Sequence, residues 1–194
     1  MQQLINMVSS NLQRYIFATP TTQGANNLAG FTVNDYIASR GVVLTVYDQL
    51  STALWNPRTG VYAYADVPGG AGDLNVYDHY SNTNDLNTMT TDQLAKLEDP
   101  NNHTGNLFLL SWTLTLDTTQ SIACTATPGT TAIINLAQSA KQVLQQNMQD
   151  AYYAKKISTT ICPNLLYTDA CESTITDTAL WLNQQFYGSA SAAA

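Results

Sequence analysis

The chain has 194 residues, 44% of them hydrophobic and only 11% charged, with a formal net charge of −7 and a sequence pI near 4.4. That length and apolar content suffice to bury a core, and one domain is the natural expectation. Seven Lys and Arg residues are too few to neutralise a nucleic-acid backbone or to dock firmly on an anionic membrane, and no run approaches the roughly 18 apolar residues that span a bilayer.

In chain order, apolar residues at Leu4, Ile5, Val8, Leu12, Tyr15 and Ile16 follow helical spacing. They predict an amphipathic helix running into a short strand over 15–18, ended by Pro20 and the loop holding Gly24. Thr32-Val-Asn-Asp35 has the form of a capping box and starts a brief helix to about Arg40. Val42-Val-Leu-Thr-Val-Tyr47 reads as a buried strand, and a long loop with Gly and Pro over 56–72 separates it from a strand at Leu74. Thr90-Thr-Asp-Gln93 opens a short helix through Leu97, and Leu107-Phe-Leu-Leu-Ser-Trp-Thr-Leu-Thr115 is the clearest strand in the chain. The best helix spans 131–155, with Ile133, Leu136, Ala140, Leu144, Met148 and Ala151 or Tyr152 along one stripe. A final strand, Leu165-Leu-Tyr-Thr-Asp169, follows Pro163, and Ser173 or Thr174 caps a last helix through Phe186. The tail 188–194 reads as disordered.

Alternation of this kind predicts an α/β fold of parallel βα repeats, and strands with little internal alternation predict that both sheet faces are covered. Five strands are expected, near Tyr15, Val42, Leu74, Leu107 and Leu165. Asp78 and Tyr80 stand two residues apart where the Leu74 strand ends, so they share a face, and ligands of parallel sheets bind at such carboxyl ends. The alternative for Asp78 is a strand-end turn whose carboxylate caps the next backbone segment. His79 points the other way, and His103 precedes its strand at the opposite end; both are expected as exposed loop histidines.

Four strand ends in order carry a family resemblance: Gly41-Val-Val-Leu-Thr-Val-Tyr-Asp48, Asn75-Val-Tyr-Asp-His-Tyr-Ser81, Asn106-Leu-Phe-Leu-Leu-Ser-Trp-Thr-Leu-Thr115, and Pro163-Asn-Leu-Leu-Tyr-Thr-Asp169 with Thr176-Asp-Thr-Ala-Leu-Trp-Leu-Asn183 behind it. Together they resemble the carboxyl-terminal half of the phosphatidylinositol-specific phospholipase C-like phosphodiesterases, which are distorted TIM barrels. The resemblance implies residues 1–187 as the second part of such a barrel, about five strands of it. It also implies a phosphoric diester hydrolase or lyase acting on an inositol phospholipid or a related phosphodiester. In that family the strand ending Asp-x-Tyr holds the inositol ring, which maps onto Asp78 and Tyr80, while the acidic end of the last strand supports a catalytic histidine, which maps onto Asp169. A helix-capping or loop role is the other reading of Asp169.

The family's catalytic histidines, its charge-stabilising arginine or metal and any calcium ligands belong to earlier strands that have no counterpart here. The strand at Val42 lacks the arginine of bacterial members. A complete barrel takes about 250 residues, so the chain is expected to be a fragment or a half-barrel that pairs with an amino-terminal half or with a second copy. Alone it is expected to be inactive, with no cofactor; calcium enters only through the missing half. The alternative is a non-catalytic module that binds inositol or a sugar phosphate, or an inactive fragment. Partners are then a small molecule or lipid head group, with no nucleic acid and at most peripheral membrane contact.

Three cysteines leave an odd one. Cys162 and Cys171 bracket an extended strand and lie too far apart to bond, whereas Cys124 and Cys171 both follow strands, so a Cys124–Cys171 disulfide is expected, with Cys162 alone. Low charge with abundant Thr, Asn, Gln and Ser suits an extracellular protein, the alternative being a lineage bias in composition; the sequon at Asn102 is compatible with secretion, while residues 1–17 lack the basic leader and continuous apolar stretch of a signal peptide.

Overall fold

The computed structural model describes residues 2–18, 28–39, 44–47, 60–65, 72–117, 132–169 and 172–188. The Cys124–Cys171 pair, the loop at Pro20 and Gly24 and the tail beyond Gly188 lie outside the described residues. The chain divides into two compact units, Met1–Tyr77 with Thr104–Leu107, and Asp78–His103 with Phe108–Ala194. Strands are parallel and alternate with helices, so the class is α/β. No helix among the described residues is long and apolar enough to cross a membrane.

In the first unit, helix α1 (Gln2–Leu12) leads into a 3-10 turn, Gln13–Tyr15, and the strand expected over 15–18 is not formed. Ile16 makes a lone bridge. The apolar signal there was real, since Ile16 and Phe17 are buried, but the Phe17 carbonyl accepts the Tyr62 hydroxyl at 2.9 Å in place of a ladder partner. Helix α2 (Val33–Ser39) starts on the capping box read from the sequence: Thr32 N and Oγ1 each donate to Asp35 Oδ2 at 2.7 Å, and Asp35 N returns a bond to Thr32 Oγ1 at 3.2 Å. Those bonds hold the Asp35 carboxyl below its ordinary value.

Strands β1 (Leu44–Tyr47), β2 (Val61–Ala65) and β3 (Leu74–Asp78) run parallel, with Leu44 beside Val61 and Tyr64 beside Leu74. β2 falls inside the segment expected to be loop. Its five residues, Val-Tyr-Ala-Tyr-Ala, are flanked by Gly60 and by a Gly-rich stretch, so turn signals swamp a short strand signal. Gly60 is required: its backbone is left-handed at φ +80°, and a Cβ would sit 1.8 Å from Ile16 Cγ2. β3 begins beside the end of β2, Leu74 opposite Tyr64 and Asn75 opposite Ala65. Buried Asp73, just before β3, is tied to β2, its carboxylate accepting Ala63 N at 2.9 Å and its own N–H donating to Ala63 O at 2.8 Å. Phe17, Leu28 and Tyr62 form the core, with Tyr36 and Leu74 packed against them.

The second unit contains helix α3 (Leu86–Glu98), strand β4 (Leu107–Ser111, from Phe108 on), helix α4 (Ala132–Tyr153), strand β5 (Leu165–Tyr167) and helix α5 (Ser173–Tyr187). α3 starts four residues before the expected Thr90 because Asp85 accepts Thr88 N at 2.7 Å, a stronger N-terminal signal than Thr90. β4 and β5 are parallel, Ser111 beside Tyr167. Phe108, Leu110 and Trp112 of β4 and its extension, Leu144, Met148 and Ala151 of α4 and Leu182 of α5 are all buried, and Trp112 Nε1 donates to Ala140 O at 2.7 Å.

Three expectations are corrected here. α5 is capped by Glu172, which makes no side-chain cap bond and pairs instead with the buried ammonium of Lys141; neither Ser173 nor Thr174 is the cap. β5 is not covered on both faces, since Leu165 and Tyr167 are 45% and 53% exposed. His103 is not an exposed loop residue: its Nε2 lies 2.7 Å from Leu97 O and its ring stacks on Phe108 at 4.6 Å.

Candidate functional site

The three residues singled out from the sequence, Asp78, Tyr80 and Asp169, line one cleft of about 540 Å³. Its described lining residues all belong to the second unit, and Ser111, Thr113 and Tyr167 are also among them. Three strand ends supply these side chains at a spacing of two: Asp78 and Tyr80 where β3 finishes, Ser111 and Thr113 where β4 finishes, Tyr167 and Asp169 where β5 finishes. Alternation along extended chain puts each pair on one side, so a carboxylate and a phenol come from either flank and two hydroxyls from β4. His79, between Asp78 and Tyr80, is exposed and outside the lining, as its position in the alternation requires.

The crest after β3 is held by its backbone. Gln93, buried on α3, donates from Nε2 to His79 O and to Ser81 Oγ, both at 2.9 Å, while its Oε1 accepts Ser111 N at 3.1 Å. One amide therefore ties the crest to the end of β4. Lys96 Nζ adds a bond to His79 O at 3.1 Å and pairs with Asp92 Oδ2 at 2.5 Å, and Ser81 Oγ donates to the same carboxylate at 2.6 Å. Partial burial pushes the Asp92 carboxyl up, but the bonds from Lys96 and Ser81 outweigh it and leave the group below its ordinary value. Asn82 then turns the chain with a left-handed backbone, φ 48°, which asparagine tolerates.

Beyond β4 the chain stays extended and anchored. Trp112 N donates to Tyr167 O at 2.9 Å, Thr115 N to Thr83 O at 2.8 Å, and Asn84 Nδ2 to Asp117 Oδ2 at 2.8 Å. Desolvation raises the Asp169 carboxyl above the ordinary carboxylate value. Tyr80 and Tyr167 are more than half exposed, 58% and 53%.

Sequence reasoning missed Ser111, Thr113 and Tyr167. The available signal was the hydroxyl pair at a spacing of two in Ser111-Trp-Thr113, at the carboxyl end of the clearest strand. Among the described residues no group of three or more His, Cys, Asp or Glu could hold a metal ion. Comparison with protein-family models, with curated proteins and with solved structures finds no match to this chain.

Proposed function

We propose that this cleft is the head-group site of a phosphatidylinositol-specific phospholipase C-like phosphodiesterase, holding the polyhydroxylated ring of an inositol phospholipid or related phosphodiester. The observation that carries the reading is the convergence of Asp78, Tyr80 and Asp169 on one cleft at the carboxyl ends of parallel strands. A carboxylate accepts bonds from adjacent ring hydroxyls, and a phenol ring covers the apolar face of a cyclitol. The arrangement is compatible with part of a βα barrel.

Cleavage by this route needs an acid and a base near the phosphorus. The chain's two histidines, His79 and His103, both lie outside the cleft lining, so the proposed chemistry takes its acid–base pair from outside these residues. Asp169 would orient such a group, with the raised carboxyl marking its desolvated setting. The same placement of the histidines favours a second reading, in which the cleft binds the ring without cleaving anything.

Calorimetric titration with glycerophosphoinositol, alongside a phosphatidylinositol turnover assay, tests both. Binding by the chain alone, weakened at least about tenfold by Asp78→Asn and by Tyr80→Ala, is expected, with no turnover. Undiminished binding in both variants would sink the site. Turnover by the chain alone that survives His79→Ala and His103→Ala would sink the acid–base account.

A further inference from the structure

Tyr80 lines the cleft yet is 58% exposed, so its direction depends on its backbone more than on packing around the ring. That backbone is gripped from α3. Lys96 Nζ donates to His79 O at 3.1 Å and to Tyr80 O at 3.5 Å, and pairs with Asp92 Oδ2 at 2.5 Å. The two carbonyls belong to the peptide groups on either side of the Tyr80 Cα, and those planes together fix its φ and ψ, hence the direction of its Cα–Cβ bond. Gln93 shares the first carbonyl, and Lys96 adds the second. An ammonium has three donors, and these three acceptors match them. Asp92 also accepts Ser81 Oγ at 2.6 Å, which ties down the residue after Tyr80. Both Asp92 and Lys96 lie outside the described lining of the cleft.

We propose that Asp92 and Lys96 form a positioning pair, which sets how Tyr80 is presented to the ligand without touching that ligand. The inference rests on the ring-binding reading above and adds the residues that aim its aromatic contact. An i,i+4 ion pair on a helix surface contributes little to stability by itself. This cation directs two of its three donors off the helix, onto the carbonyls that flank a cleft residue. Contact between a phenol and a ligand ring depends on their mutual orientation. Releasing the Tyr80 peptide planes therefore weakens binding while the inward face of α3, Met89, Gln93 and Leu97, stays buried.

The test is a double-mutant cycle on the full chain, read by calorimetric titration with glycerophosphoinositol and accompanied by urea midpoints for the same variants. Lys96→Met keeps the apolar stem and is expected to weaken binding about threefold in the parent, with no further loss in the Tyr80→Ala background. Asp92→Asn should give the same pattern, and it carries the test if Lys96→Met does not fold. A pair that only supported α3 would lower the urea midpoint and leave affinity unchanged, or would lower affinity equally with and without the Tyr80 ring. Either result overturns this proposal alone. If the parent does not bind, or Tyr80→Ala binds as tightly as the parent, the aromatic contact of the ring-binding reading falls and this proposal with it.

Discussion

Asp169 shows how one side chain's surroundings set a measurable property. Desolvation raises its carboxyl in the folded protein above the unfolded value of about 3.9. The folded state therefore holds that proton more tightly, and the associated stability is complete below the unfolded value and lost as pH rises through the folded one. Asp169→Asn removes this dependence. The variant is expected to gain stability relative to the parent as pH rises from about 4, read from urea midpoints across the range. A stability difference that stays constant with pH would contradict the desolvated placement. Asp78, Tyr80 and Asp169 were legible in the sequence because strand ends and a spacing of two are local properties. Ser111 and Thr113 were not, because hydroxyls are common in strands and only their burial at a cleft wall gives them meaning.

At the scale of elements, α3 acts as the clamp of the site. Its Asp85 cap sets where the helix begins, Met89, Gln93 and Leu97 face inward, and Gln93 reaches both the crest after β3 and the end of β4. Gln93→Leu keeps the volume but strips three hydrogen bonds and leaves Ser111 N and His79 O short of a partner. It is expected to cost about 2–4 kcal/mol in chemical denaturation. It is also expected to speed amide exchange at residues 79–81 and 111 while leaving α1 unchanged. Unchanged exchange at the crest would mean that Lys96 alone holds it. The capping box of α2 was readable because its partners are three residues apart. β2 and the missing strand at residues 15–18 were not, because whether a short apolar run joins a ladder depends on a neighbour distant in sequence. Gly60 and Tyr62 decide both.

For the whole molecule, the exposed side of β5 bears on association. β5 pairs with β4, and Leu165 and Tyr167 are about half exposed, which leaves a short apolar strand able to recruit another chain. An apolar groove of about 460 Å³ between β5 and α5, lined by Leu165, Leu166, Ala179, Leu182 and Phe186, continues that surface. Concentration-dependent association is expected in sedimentation velocity, with Leu165→Lys shifting the protein toward monomer while leaving its circular dichroism unchanged. A parent chain that stays monomeric at all concentrations, or a variant that associates as the parent does, would remove β5 from any interface. The net charge of −7 opposes self-association, so the effect should grow with salt.

The amino-acid sequence by itself determined the α/β class, the positions of four of the five described strands, the two long helices and the three side chains that now share a cleft. Those follow from periodicity, caps and strand ends, which act over a few residues. Only the tertiary structure decided that residues 15–18 leave the sheet and that Val61–Ala65 joins it. It also decided that His103 packs on Phe108, and that Ser111, Thr113 and Tyr167 complete the wall between Asp78 and Asp169. The physical reason is the same each time: burial and backbone pairing are set by residues far apart in the chain, and their outcome depends on which partner arrives.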